Sequence, residues 1–319
     1  MEEAKPNLPP PPPGVIHALT SGFNAVANQV AVILFPVFFD LFLWLGPRLR
    51  TSALLRPIFD EALAMQPPGD VTELVTNVTH SIIDGMNYYA TLRTFPIGIF
   101  SLMTINLSDK NPLGLRVDYQ VGSLFGLFGW SFVLTIAGWI LGSLYFYAVA
   151  RTITQSGPSL GRVILHSALL SALLSLLFGI FSIPFSAIAM AGTANFITNF
   201  LVVLFVFWVG LPVFFSGHAI FLDGKNVFSS IRQSFRVMRF AMPSLGWFAL
   251  TALLISQGMD LLWRVAPAES WMSLVGILGH AFISCSLLAA SFIFYRDTNL
   301  WVDRALEWLK AQKTYSVRA

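Results

Sequence analysis

Six apolar stretches constrain this chain more than any other feature: Phe23–Gly46, Val121–Ala150, Val163–Met190, Asn195–Phe221, Pro243–Trp263 and Trp271–Tyr295. About 20 apolar residues in a helix cover the roughly 30 Å of a bilayer's hydrocarbon, and each stretch reaches that length. None alternates apolar and polar residues with a period of two, as a membrane β-barrel would require. The expectation is an all-α polytopic membrane protein. It has six transmembrane helices, a small helical extracytoplasmic cap and interfacial amphipathic helices. Composition agrees, since 55% of the 319 residues are apolar and 11% charged, against about 25% charged in soluble domains. That deficit excludes a disordered chain and argues against a soluble enzyme. A single Cys excludes an intramolecular disulfide and a cysteine-cluster metal site. The net charge of +3 is too small to suggest nucleic acid as a partner.

The chain divides by composition. Residues 1–21 read as a proline-rich cytoplasmic tail, with Pro9 to Pro13 favouring polyproline II. Residues 22–46 read as the first transmembrane helix and 47–120 as the cap. A five-helix transmembrane bundle follows over 121–295, with an interfacial helix at 224–240. Residues 296–319 read as a cytoplasmic amphipathic C-terminal helix. Pro36, Pro184 and Pro212 fall inside spans and predict kinks. Within the cap, Asp70 and Glu73 have capping-box spacing, and Val71, Leu74, Val75, Val78, Ile82 and Met86 share one helical face. A shorter helix over 54–63 precedes the Pro67-Pro68-Gly69 break. The apolar run Phe95–Leu107 is too short to cross and contains Pro96 and Gly98, which suits an interfacial or re-entrant stretch.

Basic residues orient the chain. Arg151 and Arg162 follow span 2, and Lys225, Arg232, Arg236 and Arg239 stand against Asp223 alone after span 4. Arg296, Arg304, Lys310, Lys313 and Arg318 follow span 6, whereas the connection after span 5 holds only Arg264 and Glu269. The positive-inside rule then places both termini in the cytoplasm. Arg48, Arg50 and Arg56 run against this assignment, because they open the cap on the outer side. The rule carries little weight in so long a segment.

Several side chains are candidates for function. Small residues at four-residue spacing, Gly122, Gly126, Gly138 and Gly142, then Ser167, Ser171, Ser175 and Gly179, let helix backbones approach closely. The expectation is packing within the bundle, with a docking face for another membrane subunit as the alternative. Asp40, Asp260 and His280 lie inside spans, where ionisable groups are costly and mark function by default; His166 and His218 lie near the opposite ends. Asp260 has Arg264 one turn later and Asp40 lies close to its span end. Both are therefore expected to reach interfacial water, with a proton or cation site as the alternative. No GxSxG, HExxH, Walker A or CxxC pattern occurs, and Cys285 sits mid-span as a small buried hydrophobe. No catalytic residue, cofactor or metal is expected.

Residues after Pro212 are the most informative. Over Asn226–Phe240 a helix would place Val227, Ile231, Phe235 and Met238 on an apolar stripe, with Arg232, Arg236 and Arg239 beside it. With Lys225, these arginines would reach the phosphates of an anionic cytoplasmic leaflet. The stretch 212–239, PVFFSGHAIFLDGKNVFSSIRQSFRVMR, resembles bacterial multi-pass proteins related to YciC and to the membrane domain of some glycerophosphodiester phosphodiesterases. In these, a proline-containing span runs into an acidic-Gly-Lys turn and an amphipathic helix. Asp223, Gly224, Lys225, Ser234, Arg236 and Arg239 match that pattern, and Phe235 is the aromatic after the serine. The resemblance implies a bacterial inner (plasma) membrane and an architecture, and no catalytic residue. The expected role is non-catalytic: a scaffold, accessory subunit or envelope factor. A transporter or carrier for a small solute or lipid is the alternative, and an intramembrane lipid-acting enzyme the third.

Overall fold

The computed structural model describes residues 11–64, 70–104, 106, 108–154, 156–190 and 196–318. Side chains are described for these except 70–71, 181, 183–190, 196–199, 206 and 313–318. Pro9, the Pro67-Pro68-Gly69 break and the turn at 191–195 therefore lie outside the described residues. So do the side chains of Asp70, Pro184, Lys313 and Arg318.

The chain is all-α with two very small sheets. Its helices are α1 (Val15–Asn28), α2 (Leu34–Leu45), α3 (Ser52–Ala64), α4 (Asp70–Gly85), α5 (Leu124–Arg151), α6 (Leu160–Met190), α7 (Phe196–Phe205), α8 (Leu211–Asp223), α9 (Val227–Trp263) and α10 (Ser273–Arg318). Short strands β1 (Arg48–Arg50), β2 (Lys110–Asn111), β3 (Gly114–Leu115) and β4 (Asp118–Gln120) pair β1 with β4 in parallel and β2 with β3 antiparallel. Among the described residues, five helical segments are long and apolar enough to cross a membrane: Leu124–Arg151, Leu160–Ile180, Phe200–Asp223, Val227–Trp263 and Ser273–Gln312. The protein is thus a multi-pass membrane protein.

The first expected span differs. Helix α1 begins at Val15, inside the stretch read as tail, and Phe23–Gly46 is not one helix. It breaks at Gln29 (φ −135°, ψ 59°), and a 3-10 turn, Val30–Ile33, leads into α2. The pair counts as a sixth span only if taken across that bend. Two expected boundaries dissolve as well. The interfacial helix and span 5 form one helix, α9, kinked where Ala241 leaves helical geometry just before Pro243. Span 6 runs into the C-terminal helix without a break, as α10.

The fold comprises two compact units. One takes Met1–Gln29, Phe146–Ile255 and Cys285–Ala319. Its core is aromatic: Phe146 lies 5.5 Å from Phe221, and Phe248 stacks on Phe294 at 4.6 Å. Ala18, Leu19, Gly22 and Val26 form the buried face of α1. A β-carbon on Gly22 would meet the backbone nitrogen of Ala290 at 2.5 Å, so only glycine lets α1 approach α10 this closely. Between α8 and α9, Gly224 takes the left-handed conformation (φ 66°) that closes a helix end, and its N–H and that of Lys225 return to Ile220 and Ala219. Asn226 then caps α9, its Oδ1 accepting from the Ser229 N–H at 3.0 Å.

The other unit takes Val30–Tyr145 and Ser256–Ser284. Val37 and Trp44 of α2 pack with Ile277 and Ala281 of α10, and Trp44 Nε1 donates to the Ala268 carbonyl at 2.7 Å. The run 95–104 is no helix but a series of bends with Ile97, Ile99 and Leu102 buried. It packs on α5: a β-carbon on Gly142 would meet Gly98 Cα at 2.7 Å, and one on Gly138 the Leu92 carbonyl at 2.6 Å. This glycine pair makes room for a loop, not for another helix. A β-carbon on Gly122 would meet nothing within 4 Å, and one on Gly126 only side-chain atoms of Ser123 and Val121. On α6, Ser167 and Ser171 are buried, whereas Ser175 is exposed and Gly179 stands in open space.

Candidate functional site

Helices α9 and α10 bring two of the three intramembrane ionisable candidates into contact. His280 Nδ1 lies 2.8 Å from Asp260 Oδ1, and His280 Nε2 lies 3.2 Å from Ser284 Oγ. Asp260, with 23% of its side chain exposed, opens the row, while His280 and Ser284 are buried. A carboxylate accepts, so Nδ1 carries the imidazole proton. A hydroxyl can donate or accept, so Ser284 satisfies Nε2 whether or not that nitrogen is protonated. Asp260 thus has His280 as a partner, which the expectation did not include.

Asp40 does not reach water, contrary to expectation. It is wholly buried. Its carboxylate accepts from the Ser101 hydroxyl, the Leu102 N–H at 3.1 Å and the Met103 N–H at 3.0 Å. Three donors on one carboxylate explain why an irregular backbone is tolerated at this depth, since its N–H groups are satisfied within the protein. His280 is near enough to Asp40 to interact with it electrostatically.

His218 on α8 occupies a separate aromatic box in the other unit. Its ring stacks on Phe215 at 4.8 Å and lies 4.6 Å from Phe292 and 5.4 Å from Tyr295. Nε2 is 2.9 Å from Ser291 Oγ. His166 is exposed, with Nδ1 2.9 Å from the Arg162 carbonyl. Cys285 is buried.

The first turns of α9 expose a basic and aromatic face. Phe228, Arg232, Phe235, Arg239 and Phe240 point outward, with Phe228 81% exposed. The inward face is not the stripe expected. Val227, Ser230, Ser234, Val237 and Met238 are buried, whereas Phe235 is exposed. Serines can lie inward because Ser230 Oγ donates to the Ser216 carbonyl and Ser234 Oγ to the Pro212 carbonyl, the latter at 2.6 Å. Arg236 also departs from expectation. It is tied to α10 through Asn299 Oδ1 at 3.2 Å and Asp303 Oδ1 at 3.1 Å. Arg232, Arg239 and Lys225 make no side-chain ion pair among the described residues.

Three arginines of the 47–120 segment have carboxylate partners. Arg48 is buried, bonding Asp118 at 2.7 Å and Asp109 at 2.8 Å; Arg50 pairs with the same two aspartates, and Arg56 with Asp84. Burial works to lower the Arg48 pKa, but the bonds to Asp118 and Asp109 raise it above the ordinary value. The hydrogen bond from Arg48 holds Asp109 below the usual carboxylate range.

Ser284 and Ser101 were missed by sequence reasoning. The first could have been found from its position four residues after His280, on the same helical face; the second has no sequence signal. Against known proteins, the chain matches no family model, no curated protein and no solved structure.

Proposed function

We propose that this chain is a non-catalytic scaffold or accessory subunit of a bacterial inner membrane, seated on an anionic cytoplasmic leaflet by the outer face of α9. The observation that carries this reading is the exposure of Arg232 and Arg239 beside Phe228, Phe235 and Phe240. Aromatic rings belong at the hydrocarbon boundary and guanidinium groups at the phosphates above it. In this reading both termini are cytoplasmic, and α1 with α2 makes one bent crossing, the first of six. The likeness of 212–239 to the YciC-related proteins accords with such a hairpin. Its matched serine, Ser234, bonds the carbonyl of Pro212, which opens the matched stretch.

The reading is tested by purifying the full chain and its Arg232→Gln/Arg239→Gln variant in mild detergent and quantifying co-purified lipid. Each basic group near an anionic surface is worth about 1 kcal/mol, so the variant should retain several-fold less anionic lipid. Equal retention would remove the seat. Membrane proteins that co-purify equally with both forms would support the scaffold role.

A second reading, a carrier of protons or a small cation, draws on the Asp260–His280–Ser284 row. It calls for pH-driven uptake in proteoliposomes that His280→Phe abolishes. The same row has the order of a hydrolytic triad, but Ser284 lies inside α10, where backbone N–H groups are committed to the helix and cannot stabilise an oxyanion. That favours the carrier over a lipid-acting enzyme.

A further inference from the structure

The β2–β3 hairpin sits on the C-terminal end of α2, where the last carbonyls of a helix lack intrahelical partners. Asn111 Nδ2 donates to the carbonyls of Trp44 and Leu45, and Arg116 Nη2 to those of Leu43 and Gly46. Gly114 makes the turn between the strands possible, at φ 113°.

Arg116 is only 8% exposed, yet it makes no ion pair among the described residues, and its Nε has no hydrogen-bond partner. The nearby acids are already engaged, Asp109 and Asp118 each pairing with both Arg48 and Arg50. Three guanidinium groups thus share two carboxylates. Burial, then the charge of Arg48, lowers the Arg116 pKa to about 10, leaving a cation at neutral pH that its surroundings do not neutralise. Helix carbonyls offset a buried guanidinium only partly.

Arg116 lines a cavity of about 270 Å³ together with Gly46, Pro47 and Asn111. Its remaining walls are apolar, and much of that surface faces out: Leu113, Leu115, Val117 and Tyr119 are 70, 79, 60 and 55% exposed. A water molecule takes about 30 Å³, so the cavity has room for a small polar head beside Arg116. A buried cation beneath an exposed apolar rim, at the end of an apolar helix, is complementary to one kind of molecule.

We propose that Arg116 and the β2–β3 hairpin form a site for a single anionic amphiphile, its phosphate or carboxylate head in the cavity and its acyl chain on Leu113, Leu115 and Val117. The site rests on α2 ending at a membrane surface and is independent of the lipid seat on α9.

The test uses the full chain carrying Arg232→Gln/Arg239→Gln, which removes the α9 seat, and counts retained lipid by native mass spectrometry. Micelles are doped with phosphatidylglycerol, oleate or phosphatidylcholine. The parent should keep one phosphatidylglycerol or oleate and no phosphatidylcholine. Leu115→Asp, an exposed position whose change leaves the α2 cap intact, should weaken retention about tenfold or more, as should Arg116→Gln. Equal retention of the neutral lipid, or retention unchanged in Leu115→Asp, would overturn the proposal. Inorganic phosphate competing as well as octyl phosphate would also overturn it, by showing a free-anion site without an acyl contribution.

Discussion

Arginines in the cap and arginines on α9 look alike along the chain and behave as opposites in the fold. Arg48 and Arg50 are closed off by Asp109 and Asp118 across β1 and β4, whereas Arg232 and Arg239 face outward beside aromatic rings. A positive charge near a span end is available to a lipid headgroup only where no carboxylate of the protein already holds it. Arg48, Arg50 and Arg56 spend their charge within the protein, and Arg232 and Arg239 keep theirs available.

Breaking the closed side should cost most. Asp118→Asn leaves buried Arg48 and part-buried Arg50 with one shared aspartate, and should lower unfolding stability in detergent by about 3 kcal/mol. Thermal scanning checks this, and an unchanged midpoint would mean the pairs do not hold the cap. Gly142→Ala drives a methyl group into the backbone of Gly98 and should cost about 2 kcal/mol. Gly179→Ala, in open space on α6, should stabilise by a few tenths up to about 1 kcal/mol through helix propensity. On α9 the two faces should separate in the same assay. Ser234→Ala removes an inward bond to α8 and should cost about 1 kcal/mol. Arg232→Gln/Arg239→Gln on the outward face should stay within about 0.5 kcal/mol of the parent.

Much of the helical architecture was legible because its signals are local. Apolar length marked spans two to six, and the face shared by Leu74, Val75, Val78 and Ile82 marked α4. Asp223-Gly224-Lys225 marked the end of α8, where only glycine enters the left-handed region without strain. What stayed hidden depends on contacts between distant residues. The break at Gln29 falls on a polar interruption, Asn28-Gln29 with Asn24 one turn before, which disappears when hydropathy is averaged over the whole of Phe23–Gly46. Asp40 looked close to water because depth was measured along a straight helix, while its donors, Ser101 to Met103, come from a loop some sixty residues on. The inward turn of Ser230 and Ser234 needed carbonyls on α8 that hydropathy cannot register. Arg236 looked like its neighbours and proved to be tied to Asp303.

Single-cysteine labelling bears most directly on the contrast between the two sets of arginines. In a Cys285→Ala background, Glu61→Cys on the exposed face of α3 and Arg239→Cys on the outer face of α9 are treated with a membrane-impermeant maleimide, before and after cells are permeabilised. The account predicts that Glu61→Cys labels in intact cells and Arg239→Cys only after permeabilisation. Labelling of Arg239→Cys in intact cells, with Glu61→Cys protected, would contradict it.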